Sequence, residues 1–338
     1  MRYKTRAAFF VSPGKIEVRT TVLDAPDDTP IARSRVIGIS HGTELKFFTG
    51  DFIAGPSEDG LPDVPAQLEY PLNYGYMNVG ETSDGARFFG FAPHHDRFPV
   101  RPGYSVALPA SIEDEDAVLL PSVETALALA HDVTPAFGES VLVFGLGTIG
   151  LLCAEILATH TGCSIVTADP VAFRRALADR IGCTALDPTQ PGFREEVRNL
   201  LGAPGVDWVV NTSGSETALE HAFDLLRHEG TIIEGSWYGS RRVSLPLGGG
   251  FHRKRLTIRA CQVSTIRAAF SAGWDRSRGT AEVMKLIDRI RPSKYITHRF
   301  PLEQAQAAFE TIRTAADVLQ VVLVPDHTPE LKRKGEGV

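Results

Sequence analysis

VLVFGLGTIGLLCAEILA, residues Val141–Ala158, decides how the rest of the chain is read. A short apolar run meets Gly145, Gly147 and Gly150 in G-x-G-x-x-G spacing, and a helix-spaced apolar stretch follows at once. Strand, glycine loop and helix in that order form the context that gives the spacing meaning. Gly145 permits the tight turn. Gly147 lets a pyrophosphate approach the backbone, and Gly150 lets the helix pack close to the strand. The helix N-terminus, with Thr148 and Ile149, then faces the phosphate charge. The next apolar run, CSIVTAD, closes on Asp169, nineteen residues past Gly150. An acid there accepts hydrogen bonds from an adenosine ribose and repels a 2′-phosphate, which favours NAD(H). Arg174 and Arg175 follow closely and could reach such a phosphate, so NADP(H) stays open.

Outward from this loop, apolar runs and helical stretches alternate through AFRRALADRIG, VDWVVNTSG, SETALEHAFDLLRHEG, GTIIEGSWYG and RLTIRACQVS. Such alternation predicts a parallel sheet with helices on both faces, an α/β doubly wound fold. The helix beginning at Ser215 is expected to run to Gly230 as its C-terminal glycine. Before about Glu115 the chain is different: short β-like runs broken by turn signals such as DAPDDTP, with no long helical pattern. The expected organisation is a β-rich unit over residues 1–116, a Rossmann unit over 117–263, and a return to the first unit over 264–338. The last dozen residues read as a frayed polar tail.

Composition narrows the partners. The 338 residues are 43% hydrophobic and 22% charged, with net charge −6 and no basic face, which argues against nucleic acid. No apolar run reaches the length of a membrane span, and the N-terminus lacks a signal-peptide core. Cys153, Cys163, Cys183 and Cys261 lie in dissimilar contexts, at spacings that match no zinc motif. Without an export signal, disulfides are not expected and the cytoplasm is the default compartment.

One stretch before the glycine loop is chemically dense. RVIGISHGTELKFFTG, Arg35–Gly50, begins as a strand and then gathers Ser40, His41, Thr43 and Glu44 within five residues, as active-site loops do.

With these motifs together, the chain resembles the medium-chain dehydrogenase/reductase superfamily over nearly its whole length. GISHGTE, PSVETALAL, GSWYG and FHRKRLTI are similar to the subgroup of bacteriochlorophyllide-type hydroxyethyl dehydrogenases. The resemblance implies a GroES-like β-rich catalytic domain, a Rossmann domain and a dimer through the Rossmann sheet edge. It also implies cofactor contacts at Thr125, Ser213, Gly235, Ser236, Trp237, Gln262 and Val263. Zinc enzymes of the superfamily carry a cysteine where this chain has Ser40. They carry a histidine where it has Tyr76 in GYMNVG, and a cysteine or acid where it has Pro121. All three ligands are replaced, so a zinc-free enzyme is expected.

Without a Lewis acid, hydrogen-bond or proton donors must stabilise the oxygen of a ketone under reduction. Ser40, His41 and Glu44 are one source, Tyr76 a second, and His94 with its neighbour His95 a third. The other readings are that His41 contacts the cofactor pyrophosphate, Tyr76 packs, and Glu44 anchors its loop. The expected activity is NAD(H)-dependent interconversion of a secondary alcohol and a ketone on a small-molecule substrate. An enoyl or quinone reductase and a non-catalytic NAD(H)-binding protein are the rivals.

Overall fold

The computed structural model describes all residues except 58–59, 62, 161, 203, 266–271 and 327–338, so the polar tail lies outside the described residues. Two sheets organise the chain. The first begins beside a long hairpin of β1 (Arg2–Ser12) and β2 (Lys15–Asp24), followed by β3 (Ile31–Gly38), helix α1 (His41–Thr49) and the small pair β4 (Gly55–Pro56) and β5 (Gln67–Leu68). Next come β6 (Asn78–Glu81), β7 (Arg87–Gly90), β8 (Arg97–Pro99) and β9 (Ser105–Ala107), then helices α2 (Asp114–Ala117) and α3 (Leu120–Val133).

The second sheet is wound from β10 (Ser140–Phe144), α4 (Thr148–His160), β11 (Ser164–Ala168), α5 (Ala172–Arg180), β12 (Thr184–Leu186), α6 (Phe193–Leu201), β13 (Val206–Asn211), α7 (Glu216–Leu225), β14 (Leu226–Glu234) and β15 (Thr257–Ala260). The chain then returns through α8 (Arg276–Ile290), β16 (Ile296–Pro301), α9 (Ala305–Thr314) and β17 (Gln320–Val324).

The six strands of the second sheet are parallel, in the order β12-β11-β10-β13-β14-β15. All five residues of β10 are buried, as a central strand covered on both faces must be. Val141 and Val143 pack into a core shared with α3, α4 and α8, while Leu142 and Phe144 pack with α6 and α7 on the other face. This is the α/β doubly wound fold that the glycine-loop stretch predicted. The first sheet runs β16-β17-β3-β6-β7-β9, with β8 paired to β3. Strand β17, from the far end of the chain, thus pairs with β3 beside the dense stretch. Among the described residues no helix is long and apolar enough to cross a membrane.

Two expectations are corrected. The stretch after β3 is not a loop: Ser40 is the N-cap of α1, and Phe47 and Phe48 are buried on one face of that helix. Helix α7 ends at Leu225, not near Gly230, because β14 begins at Leu226. The Lys254 ammonium donates to the carbonyls of Phe223, Asp224 and Leu226, and so closes the helix end in place of a glycine.

Candidate active site

The glycine loop has the close contacts its spacing implies. Gly145 takes φ +87°, and a Cβ there would lie 2.7 Å from the Ser213 backbone. A Cβ on Gly150 would lie 1.8 Å from the Gly145 carbonyl oxygen. A Cβ on Gly147 would meet nothing within 4 Å, so the backbone there is open to an approaching group. Two closed contacts and one open position at a helix N-terminus fit a dinucleotide pyrophosphate.

Asp169, buried at the end of β11, accepts the Leu146 N–H at 2.7 Å through one carboxylate oxygen and the Val171 N–H at 2.8 Å through the other. It therefore shapes the loop. Arg174 lies 3.8 Å from the Asp169 carboxylate and donates to the Val318 carbonyl. Arg175 donates to the carbonyls of Asp169 and Pro170.

At the C-terminal ends of β13 and β14 a hub appears that sequence reasoning missed. Asn211, fully buried, donates to Glu234 at 2.7 Å and to the Tyr238 hydroxyl, and accepts from the Ser213 N–H and hydroxyl. Ser236 accepts the Gly214 N–H, and the Gly235 N–H donates to the Asn211 carbonyl. The signal was its place as the last residue of a central parallel strand, where ligands of open α/β sheets bind. Tyr238 stands beside Glu234, and burial together with that carboxylate raises its pKa.

Trp237 is 46% exposed, with its ring 6.2 Å from that of Phe47 and the Lys46 ammonium over it. The Gln262 side chain is turned to the Ser264 N–H and hydroxyl, and Val263 lies exposed beside it. The Thr125 hydroxyl donates to the Pro121 carbonyl within α3.

The opposite wall is made by α1. A serine at an N-cap ordinarily gives its oxygen to a helix N–H. Ser40 makes no such cap. Its hydroxyl instead shares a 2.5 Å hydrogen bond with the Tyr76 hydroxyl. The capping work passes to Glu44, which accepts the Ser40 N–H at 3.0 Å and is itself fully buried against His94. Tyr76 packs against the core of the first unit and against the core shared with the second sheet, which puts its hydroxyl between them.

Three expected roles change here. His94 is fully buried beside Phe309, with Nε2 on Glu44, so it supports the wall from behind rather than lining it. Glu44 is likewise an anchor. His41 accepts the Val321 N–H on Nε2 at 3.2 Å. Burial, with Arg174 and His298 nearby, pushes its pKa down to about 3, so the ring is neutral near pH 7 and does not shuttle protons there. His95 is buried too, with Nε2 donating to Asn73, and burial pushes its pKa down to about 4.

Strand β17 joins the two walls. The Thr148 hydroxyl, at the start of the phosphate-facing helix, donates to the Leu319 carbonyl and lies 3.2 Å from the Gln320 side-chain oxygen. The buried Gln320 amide donates to the Ile39 carbonyl at 2.9 Å, one residue before Ser40. The Thr148 hydroxyl is thus tied to this strap, while its backbone stands at the head of the phosphate-facing helix. A single polar residue inside the apolar run VLQVVLV was the sequence signal for Gln320.

Comparison with known proteins agrees with this architecture. A family model described as Zinc-binding dehydrogenase matches residues 148–278. The chain is 24% identical over 275 residues to a probable D-xylulose reductase A of Aspergillus clavatus, covering 77% of this chain and 72% of that one. It is 31% identical over 210 residues to the L-galactonate-5-dehydrogenase of Escherichia coli, covering 60% of this chain and 57% of that one. The crystal structure of L-idonate 5-dehydrogenase from Escherichia coli superposes with a TM-score of 0.78 at 14% identity, covering 96% of this chain and 99% of that chain. Residues 148–278 thus match the Zinc-binding dehydrogenase family, and the whole chain shares the fold of these dehydrogenases.

Members matched by the Zinc-binding dehydrogenase model raise the question of metal. At the three positions where zinc enzymes of the superfamily hold their ligand, this chain offers two hydroxyls and no third donor. Ser40 and Tyr76 bond to each other, and Pro121 carries no donor atom. Zinc sites in proteins are built from thiolate, imidazole and carboxylate. The residues present do not fit that ion. Among the described residues no group of three or more His, Cys, Asp or Glu side chains forms an alternative.

Proposed function

We propose that the protein is a zinc-independent, NAD(H)-dependent oxidoreductase that interconverts a secondary alcohol and a ketone of a small metabolite. The observation that carries this reading is the Ser40–Tyr76 hydroxyl pair, 2.5 Å apart, at two former metal-ligand positions. Bound NADH would supply the hydride. The carbonyl oxygen gains negative charge as hydride arrives, and a preorganised donor there lowers the barrier. The phenol carries one proton, which here lies on Ser40, so Tyr76 donates to the carbonyl when Ser40 turns its own proton onto the phenolic oxygen and orients it. The N-terminus of α1, free of a serine cap, adds a favourable dipole for that charge. Glu44 and His94 hold Ser40 from behind. Asp169 supports NAD(H) over NADP(H), because an acid at the end of the second strand would accept hydrogen bonds from an adenosine ribose and repel a 2′-phosphate.

The relatives' names place polyhydroxy ketones such as D-xylulose at the head of a substrate panel. NADH absorbance would be followed with ketones, enones and quinones in the presence of a strong chelator. Chelator-resistant oxidation with ketones is expected. The Tyr76→Phe variant should lose about tenfold or more in turnover with NADH affinity unchanged. Turnover only with enones or quinones would replace this reading, and full chelator sensitivity would remove its metal-free part.

A further inference from the structure

A groove of about 770 Å³ lies on the solvent face of the first sheet. It is lined by Arg33, Arg97, Tyr3, Thr29, Thr82 and Ser83, with Arg35 and Glu81 at its side. Its size is within the range of small-molecule sites. None of the residues given a role above lines it.

Strand pairing makes this groove unusual. The antiparallel register of β3 and β8 sets Arg33 directly opposite Arg97. Like charges at opposed positions of an antiparallel pair destabilise the sheet unless something lies between them. On its other side Arg33 faces Glu81 across the β3–β6 pairing, which would be a ready partner. Glu81 instead pairs with Arg35, which also holds Asp114 at 2.6 Å.

Arginines nearby are all matched: Arg6 to Asp96 and Glu303, Arg87 to Asp114, and Arg101 to Asp63. Arg33 and Arg97 have no carboxylate within 4.0 Å among the described residues. The Nε of Arg97 is moreover buried without a hydrogen-bond partner. A buried donor left unmade is costly. Two unmatched guanidinium forks at opposed strand positions, with the Thr29 and Ser83 hydroxyls also lining the groove, are the donor set that phosphate oxygens satisfy bidentately.

We propose that this groove is a second binding site, for a small molecule carrying a phosphate or pyrophosphate group. The two guanidinium groups grip the phosphoryl oxygens, and Thr29 and Ser83 offer hydroxyls to the rest of the ligand. The site is independent of the glycine loop and of the Ser40–Tyr76 wall, so it stands or falls apart from the proposed reaction.

The test is calorimetric titration of the full chain with inorganic pyrophosphate at low ionic strength. The wild type, Arg33→Gln and Arg97→Gln would be compared, each checked for an unchanged melting temperature. Arg33 is exposed, so its variant should fold even if Arg97→Gln does not. The expected result is saturable binding weakened about tenfold or more in Arg33→Gln, and likewise in Arg97→Gln. Absence of binding to the wild type overturns the proposal. So does equal binding by wild type and Arg33→Gln, which would send the anion elsewhere, the glycine loop included.

Discussion

The two sides of the candidate site are built from different material. The wall at the glycine loop is mostly backbone: a positive φ at Gly145, a 1.8 Å exclusion at Gly150, and amides of Leu146 and Val171 fixed by Asp169. The facing wall is mostly side chain. There Tyr76 leans on Ser40, Ser40 on Glu44, and Glu44 on His94, so that two half-buried hydroxyls rest on two fully buried groups. A backbone wall constrains which residues are tolerated at a few spacings. A side-chain wall constrains a set of partners drawn from distant parts of the chain. The first should therefore fail by losing cofactor, and the second by losing fold or chemistry.

The largest effect is expected behind the side-chain wall. Glu44→Ala strands the His94 ring in the core and leaves the Ser40 N–H without its acceptor. Breaking a buried pair from one side costs about 3–5 kcal/mol, and urea denaturation should show a loss of that order. Removing His94 in the Glu44→Ala background should then cost much less than in the wild type. If the two losses simply add, the pair is not the anchor described here.

Gly150→Ala probes the other wall. The new methyl must push the Gly145 carbonyl away, and Gly145 holds the turn against Ser213. Overpacking of this kind costs about 1–3 kcal/mol. Here it should fall on NADH affinity, weakening it between about tenfold and a hundredfold while the melting temperature drops little. Fluorescence titration of NADH distinguishes this from unfolding. Unaltered affinity would mean that the cofactor does not lie against this loop.

The same contrast explains what could be read from the sequence. Val141–Ala158 was legible because its meaning is local: three glycines, a strand before and a helix after. The fold followed from it. The dense stretch at Ser40–Glu44 was visible as chemistry but not as structure. It was expected to be a loop, because the residues that hold its side chains, His94 and Tyr76, lie far along the chain, and so does β17. Nothing near His94 indicates that Glu44 will bury it, and nothing near His41 reveals the Val321 amide that takes its nitrogen. Asn211 and Gln320 were missed for the same reason. Gln320 is a single polar letter in an apolar strand and Asn211 closes another, and what each does depends on which strand ends the fold brings beside it.

Gln320 offers the finest test of whether the walls are independent. Its amide nitrogen holds the Ile39 and Val321 carbonyls, and its oxygen lies beside the Thr148 hydroxyl at the head of the phosphate-facing helix. A leucine would fill much the same volume and satisfy none of these groups. The Ile39 carbonyl, one residue from Ser40, would be left without this donor, at a cost of about 1–3 kcal/mol in stability. Part of that loss should appear as displacement on both sides. NADH affinity and turnover should each fall by a modest factor, about threefold to tenfold, where Gly150→Ala moves chiefly the first and Tyr76→Phe chiefly the second. The measurement is NADH titration and steady-state turnover on the same preparation. If only affinity moves, β17 belongs to the cofactor wall alone. If only turnover moves, Thr148 is incidental and the strap serves Ser40. A joint loss would mean that the two materials are fastened at one buried side chain, so that cofactor seated on the backbone wall also sets the position of the hydroxyl pair opposite.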